Sequence, residues 1–426
     1  MPVKALRHAI LIGKQSLGPL LAVAILASNA SAKAPSDLTP EQVREDFRVF
    51  CAEIQSTYAY FDVKATRWDE IAALYDRDVR QVRTRDKLIG VLERAMNELY
   101  DDHAQLTVNT STSPMLVPSG TDLWGEWIGT EATVTAVRHE SDAERAGMRP
   151  GTVVVSVNGV PVADACEGIM GRTVPRTDPA VRNWALRHVL AGRHDEARRI
   201  EATQGGKLRR FDLPVRRMSG TTRTPISSKS MEGGVGYIRF NDSLGDSGTI
   251  QAFDRALESL RATHGLVIDL RDTPSGGNST VARGILGRFV DHETGYQKHV
   301  LVAEERETGI RRSWIELVSP RGPFQYDKKV AVLIGRWTGS MGEGIAIGFD
   351  ALGKATVGGP MAQLRGATYH VELPNSKIGV NLPAERLYHV NGTPREAFVP
   401  TIPVPDSAGA GDAPLKAALR VAVSSR

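Results

Sequence analysis

The sequence predicts a multi-domain α/β (α+β) protein, with a helical N-terminal region, a β-rich module and a core of βαβ units in chain order. Three observations carry this expectation. Apolar residues recur at helical spacing between Val43 and Leu99, strand-like stretches separated by Gly-containing turns fill residues 120–217, and after Gly234 short apolar runs alternate with amphipathic helical ones.

The first residues stand apart from this plan. Lys4, Arg7, His8 and Lys14 precede the apolar stretch Leu17 to Ala27 and the small residues Ala30-Ser31-Ala32. A basic segment, a short apolar run and a small-residue site have the layout of a secretory signal peptide, here residues 1–32. An uncleaved anchor is the alternative, but about a dozen apolar residues broken by Pro19 fall short of the ~20 that cross roughly 30 Å of hydrocarbon. The expected mature protein is periplasmic or secreted, with no membrane span. Its charge is balanced: of the formal +4, residues 1–32 contribute three bases and no acid, so 50 basic side chains face 49 acidic ones. Nothing in that balance calls for nucleic acid. Cys51 and Cys166 are the only cysteines, and either a disulfide or two buried thiols fits their spacing.

Within the N-terminal region, residues 33–110, Thr39 offers an N-cap with Pro40 at the first helical position, followed by Val43, Phe47, Phe50 and Ile54. Runs from Trp68 to Val82 and from Thr84 to Leu99 repeat the rhythm. They end at the polar corner Tyr100-Asp101-Asp102-His103, before the alternating stretch Ala104 to Val108. Residues 109–120, rich in Ser, Thr and Pro, read as a linker or exposed loop.

In the β-rich module, residues 120–217, Ala132 to Val137 alternates like a strand, Asp142 to Ala146 is a short helix closed by Gly147, and Val153 to Val157 ends in the turn Asn158-Gly159. The stretches Ala143 to Gly151 and Val155 to Gly159 resemble the PDZ domains of bacterial proteases. The resemblance implies an open strand edge that an incoming peptide extends, with backbone amides holding its terminal carboxylate. Trp124 to Gly129 is the candidate cradle, with Trp127, Ile128 and Gly129 as peptide-binding residues; a Gly-containing turn packed by two tryptophans is the plainer alternative. The arginine-rich stretch from Arg172 to Arg217 reads as a solvated face.

The core, residues 230–405 with a tail at 406–426, is read as strand Val235 to Phe240, helix Thr249 to Ala262, strand Gly265 to Leu270, helix Thr280 to Val290 and strand Val330 to Ile334. Such runs suit a sheet covered on both faces. After the last strand and the turn Gly335 to Gly339, Ser340 opens a helical run from Met341 to Leu352. N–H groups at a helix start stabilise a nearby oxyanion. Ser340 and Glu343 equally match a capping box, in which the serine only satisfies helix amides. The second feature is the loop Arg271 to Asn278, whose Gly276-Gly277 pair lets amides approach a ligand closely.

Strand, Asp-Leu-Arg, Gly-Gly loop, second strand and a small-residue turn with serine: this order resembles the tail-specific, or C-terminal-processing, serine peptidase family. It spans about residues 36–405, PDZ insertion included, and is strongest at Leu266 to Gly277 and Thr338 to Ala346. The resemblance implies a ββα-type protease core in which Ser340 is the nucleophile and Gly276, Gly277 and Met341 supply oxyanion amides. Many members pair the serine with a lysine about two dozen residues on. The matching stretch here, Gly358 to Gly366, has none, and Arg365 stays protonated.

A base must then come from elsewhere. Asp102-His103-Ala104 resembles the histidine motif of tricorn-like members, which makes His103 the candidate base; an ordinary polar corner is the alternative. Asp102, Glu343, Glu385 and Glu396 are candidates to orient it, and Glu396 falls where the superfamily's late acidic residue lies, although a surface pair with Arg395 explains it as well. No metal-binding spacing, dinucleotide fingerprint or phosphate loop is present, so no metal or cofactor is expected. The expected function is an exported serine endopeptidase acting on peptides or unfolded protein tails. The missing lysine keeps open a non-catalytic peptide- or apolar-ligand-binding protein on the same fold, as in retinoid-binding relatives.

Overall fold

A computed structural model describes residues 37–215, 223–405 and 411–423, so the signal-peptide expectation lies outside the described residues. Helix α1 (Pro40–Thr57) begins as its sequence dictates: Thr39 Oγ1 accepts from the Gln42 N–H, and the Gln42 side chain accepts from the Thr39 N–H. Helices α2 (Ile71–Arg80) and α3 (Arg85–Met96) follow. Their apolar faces do not close on themselves alone, because Leu373, Ile378, Val380 and Leu382 from far along the chain complete this core. The short strand β1 (Gln105–Leu106) then pairs with Asn381 and Val380, which carries His103 into the C-terminal half of the protein.

Residues 109–120 are not an exposed linker. Met115 and Val117 are buried with Trp124, Ala136, Ala191, Trp337, Ala362 and Leu364, and the Met115 N–H donates to the Gly192 carbonyl. Two apolar side chains in a polar stretch are enough to pin it into the seam between module and core.

The β-rich module comprises β2 (Leu123–Ile128), β3 (Glu131–Val137), α4 (Asp142–Arg145), β4 (Val153–Val157), β5 (Val160–Pro161), α5 (Val162–Ile169), α6 (Pro179–Ala191), β6 (Arg198–Gln204) and β7 (Lys207–Leu213). The strands form one sheet in the order β2-β3-β4-β6-β7, with β5 paired to β4 through the Asn158-Gly159 turn. The arginine-rich face is only partly solvated: Arg198 is buried in a bidentate pair with Asp122 at 2.7 and 3.0 Å and donates to the Leu190 carbonyl. Its planar fork matches one carboxylate and one carbonyl at once, which is why a guanidinium is tolerated there. Cys166 belongs to this module's core and Cys51 to the N-terminal one; both are free, and burial pushes each thiol up to about 12.

The C-terminal half contains β8 (Ile226–Met231), β9 (Val235–Phe240), α7 (Gly248–Ser259), β10 (Gly265–Asp269), α8 (Ser279–Leu286), β11 (Thr294–Leu301), α9 (Val302–Thr308), β12 (Arg312–Val318), β13 (Lys329–Ile334), α10 (Met341–Ala351), β14 (Ala355–Gly358), β15 (Ala367–Glu372), β16 (Gly379–Tyr388), β17 (Ile402–Pro403) and α11 (Ala413–Val423). One sheet runs β17-β14-β13-β10-β9-β8, parallel except for the antiparallel edge strand β8. Helices α7, α8 and α10 bury one face of it. The expected tail is instead α11, whose Ala418 and Ala422 cover the other face; a Cβ at Gly265 would meet the Ala422 carbonyl at 2.1 Å. A second sheet, β1-β16-β11-β12 with β15 on β16, joins the N-terminal region to this core. Among the described residues, no helix is long and apolar enough to cross a membrane.

Candidate active site

Adjacent parallel strands β10 and β13 end side by side, and the loops that leave them are knitted together. Thr273 and Thr338 form a parallel bridge, the Thr273 N–H donates to the Trp337 carbonyl at 3.0 Å, and Thr338 Oγ1 donates to the Leu270 carbonyl at 3.0 Å. Strand ends of an open α/β sheet are where such folds place their sites. The second loop delivers Ser340 at φ 50° and ψ −110°, immediately before α10. Positive φ is costly for a residue with a Cβ, and strain of this kind concentrates at functional strand-to-helix turns.

The first loop brings Gly276 against that serine, while Gly277 packs on Leu244. A Cβ at Gly276 would lie 2.5 Å from Ser340 Cβ and 2.9 Å from its Oγ, so only glycine fits. The Gly276 amide is partly committed, closing a turn onto the Thr273 carbonyl at 3.2 Å. The amides of Gly277 and Met341 have no partner among the described residues. Of the three expected oxyanion donors, two are therefore open and one is engaged.

His103 arrives from the N-terminal region, 237 residues earlier in the chain, and its Nε2 lies 3.1 Å from Ser340 Oγ. Its Nδ1 lies 2.7 Å from the Arg365 backbone carbonyl. A carbonyl can only accept, so Nδ1 carries the proton and Nε2 presents a lone pair to the serine hydroxyl. Far from being a solvated corner, His103 is 7% exposed. Burial, reinforced by the Arg395 guanidinium, pushes its imidazole down to about 4, so it is neutral at pH 7.

The expected orienting acid is not the group on this ring. Glu396 makes no hydrogen bond to His103, its Oε2 is buried without a protein partner, and the Arg365 carbonyl occupies the position an acid would take. The stretch in which the lysine is missing thus contributes a main-chain acceptor instead. Asp102 points the other way, to Arg187 at 2.8 Å and His188 at 2.9 Å on α6. Burial works to raise its pKa, but these two partners outweigh it and hold the carboxyl at about 2. Asp101 supports the histidine backbone: its Oδ1 accepts the His103 N–H at 3.0 Å and its Oδ2 accepts the Tyr58 hydroxyl at 2.5 Å. Glu385 pairs with His299 at 2.7 Å in the second sheet.

Glu343 and Ser340 form the capping box that the spacing foretold, the Glu343 carboxylate accepting the Ser340 N–H at 2.9 Å. The Ser340 hydroxyl nevertheless faces His103. Sequence reasoning set Arg365 aside for its protonated side chain and so missed its backbone contribution, and it gave Asp101 no role; the S-x-x-E spacing was the available signal for Glu343.

The expected peptide cradle differs from its sequence reading. Trp124 to Ile128 lie in β2 rather than in a loop, and Gly129, at φ 62°, belongs to the tight turn into β3. The Trp127 N–H is given to Asn183 Oδ1 of α6 at 2.8 Å, and Ile128 is 58% exposed. Helix α6 lies directly on β2: a Cβ at Gly125 would meet Leu190 Cδ1 at 2.5 Å. The Trp127 amide is therefore engaged within the module rather than open to a peptide.

With this geometry in view, residues 234–404 match peptidase family S41. The carboxy-terminal processing protease CtpB of Bacillus subtilis (strain 168) is 23% identical over 353 residues, covering 79% of this chain and 67% of that protein. Among solved structures, the photosystem II D1 C-terminal processing protease aligns with a TM-score of 0.56 at 18% identity, over 91% of this chain and 98% of that one. Mature CPAF aligns at 0.58 and 16% identity, over 87% and 93%. The structural likenesses establish a shared fold, and with the family match they define a peptidase. More particularly, residues 234–404 carry the match to peptidase family S41, and the chain is similar over 79% of its length to a carboxy-terminal processing protease.

Proposed function

We propose that this protein is an exported serine endopeptidase that cleaves peptides or unfolded protein tails through an acyl-enzyme on Ser340, with His103 as general base. The observation that carries the reading is the 3.1 Å contact between Ser340 Oγ and His103 Nε2, with the tautomer set by the Arg365 carbonyl. His103 Nε2 takes the hydroxyl proton as Oγ attacks the scissile carbonyl carbon. The tetrahedral oxyanion is met by the Gly277 and Met341 amides, with Gly276 holding the loop close. His103 then gives its proton to the leaving amine, and a water activated by the same imidazole cleaves the ester to free Ser340 and the new carboxyl terminus. The Arg365 carbonyl takes the orienting role first assigned to Glu396. Residues 120–217 are read as a PDZ-like module, and export rests on the signal-like sequence of residues 1–32.

A fluorophosphonate probe with the modified residue mapped tests this reading. Labelling of Ser340, lost in Ser340→Ala, is the expected result. No labelling of the native protein, or labelling elsewhere, would overturn it in favour of a binding protein on a peptidase fold.

A further inference from the structure

Glu343 is fully buried at the start of α10, and its carboxylate gathers backbone N–H groups from two separate stretches. Oε2 accepts from Ser340 at 2.9 Å and Leu364 at 3.3 Å, while Oε1 accepts from Gln363 at 2.8 Å. A helix cap needs only the first of these; the other two donors lie 20 and 21 residues away. The next residue, Arg365, is the one whose carbonyl holds His103 Nδ1–H. Both anchored ends have unfavourable backbone geometry for non-glycine residues, with φ 50° at Ser340 and φ 62° at Gln363. Such conformations persist only where their surroundings hold them.

We propose that the Glu343 carboxylate is the positioning residue that sets the Ser340–His103 distance, tying the nucleophile's backbone and the segment that orients the base to a single buried anion. The inference rests on the roles of Ser340 and His103 given above. It depends on charge, because a protonated carboxyl turns one acceptor oxygen into a donor and cannot keep all three N–H groups. The charged groups facing Glu343 are Arg395, whose Nη2 lies 3.8 Å away and also donates to the Leu364 and Gly366 carbonyls, and Glu396, whose charge opposes ionisation. Burial pushes the Glu343 carboxyl up to about 7 despite Arg395 and the N–H donors, whereas His103 sits at about 4. The reactivity of Ser340 should therefore fall on acidification through the Glu343 ionisation, well before His103 takes a proton.

The test is the second-order rate of fluorophosphonate labelling at Ser340 from about pH 3 to about pH 9, for the native protein and for Glu343→Gln, with Ser340→Ala as blank. An amide at this position sets an NH2 against one of the backbone donors, and the resulting misplacement should slow labelling on the order of 10²-fold. It should also abolish the limb near 7, leaving a slow rate that stays level down to the His103 ionisation. Glu343→Asp, which keeps the charge, should retain a limb. If Glu343→Gln labels at the native rate with the native limb, the inference is wrong. Should that variant fail to fold, the native protein decides: a labelling limb near 7 while the His103 imidazole, followed by NMR, stays neutral supports the clamp, and a limb that tracks the imidazole's own titration overturns it. A native protein unlabelled at every pH instead removes the Ser340–His103 reading, and the inference with it.

Discussion

Two sets of backbone amides in this molecule are treated in opposite ways. Beside Ser340, the N–H groups of Gly277 and Met341 have no partner among the described residues. On the outer edge of β2, the Trp127 N–H is taken by Asn183 and the strand is covered by α6. Both stretches are glycine-containing and both looked, in sequence, like places where a ligand meets the backbone. An amide without a protein partner is still available to an acceptor, water included, whereas a donor already taken is finished structure. The core carries the open set, and the module keeps its edge shut with its own helix.

The largest effects should fall on the open side. Ser340→Ala should abolish peptidase activity, and His103→Gln should reduce it on the order of 10⁴-fold, as removal of a triad member does. Peptide-cleavage rates of purified variants measure both, and native-level turnover in either would erase the distinction drawn here. His103 also links the site to acid stability. Its folded-state pKa is depressed from 6.5 to about 4, so the unfolded chain takes the proton first. The stability it contributes is present above pH 6.5 and is lost as pH falls through about 4. Urea unfolding across that window should show a smaller acid loss for His103→Gln than for the native protein.

On the closed side the effects should be structural and smaller. Gly125→Val would drive a side chain into Leu186 and Leu190, and overpacking of this kind costs about 1–3 kcal/mol. Denaturant melts should register that loss while Ser340 in the folded fraction still reacts with the probe; loss of labelling in folded protein would mean that the two regions are not separate. Asn183→Ala should be milder still, about 1 kcal/mol for one hydrogen bond. It frees the Trp127 N–H, so peptides with a free terminal carboxylate should bind the variant more tightly than the native protein. Equal binding of free and amidated peptides to both proteins would remove the PDZ-like reading.

Much of the scaffold was legible because its signals are local. Thr39 and Pro40 start α1 through a hydrogen bond and a fixed φ, each within four residues. The apolar runs at Val235, Gly265 and Val330 became adjacent parallel strands because a sheet buried on both faces needs uninterrupted apolar sequence. The second sheet was not legible: β16 contains Asn381, Pro383, Glu385 and Arg386, and its pairing with β1 joins residues nearly three hundred positions apart. The 109–120 stretch was misread for a related reason. Its composition is that of a loop, and only the seam it fills makes Met115 and Val117 core residues.

At the candidate site the same division holds. Sequence by itself determined that a serine opens a helix after a buried strand, that a Gly-Gly loop follows the neighbouring strand, that a histidine stands before the short alternating stretch, and that the lysine of many relatives is missing. Those are matters of residue type and spacing. Only the tertiary structure decided that His103 meets Ser340, that the Arg365 carbonyl sets the tautomer in place of Glu396, that Asp102 turns to α6, and that Glu343 holds two distant strands of backbone at once. The physical reason is that every residue carries the same carbonyl and nearly every one the same N–H. Which of these becomes an orienting acceptor, an oxyanion donor or a satisfied edge depends on what folding brings within 3 Å of it, and that is not written in the identity of the residue that supplies it.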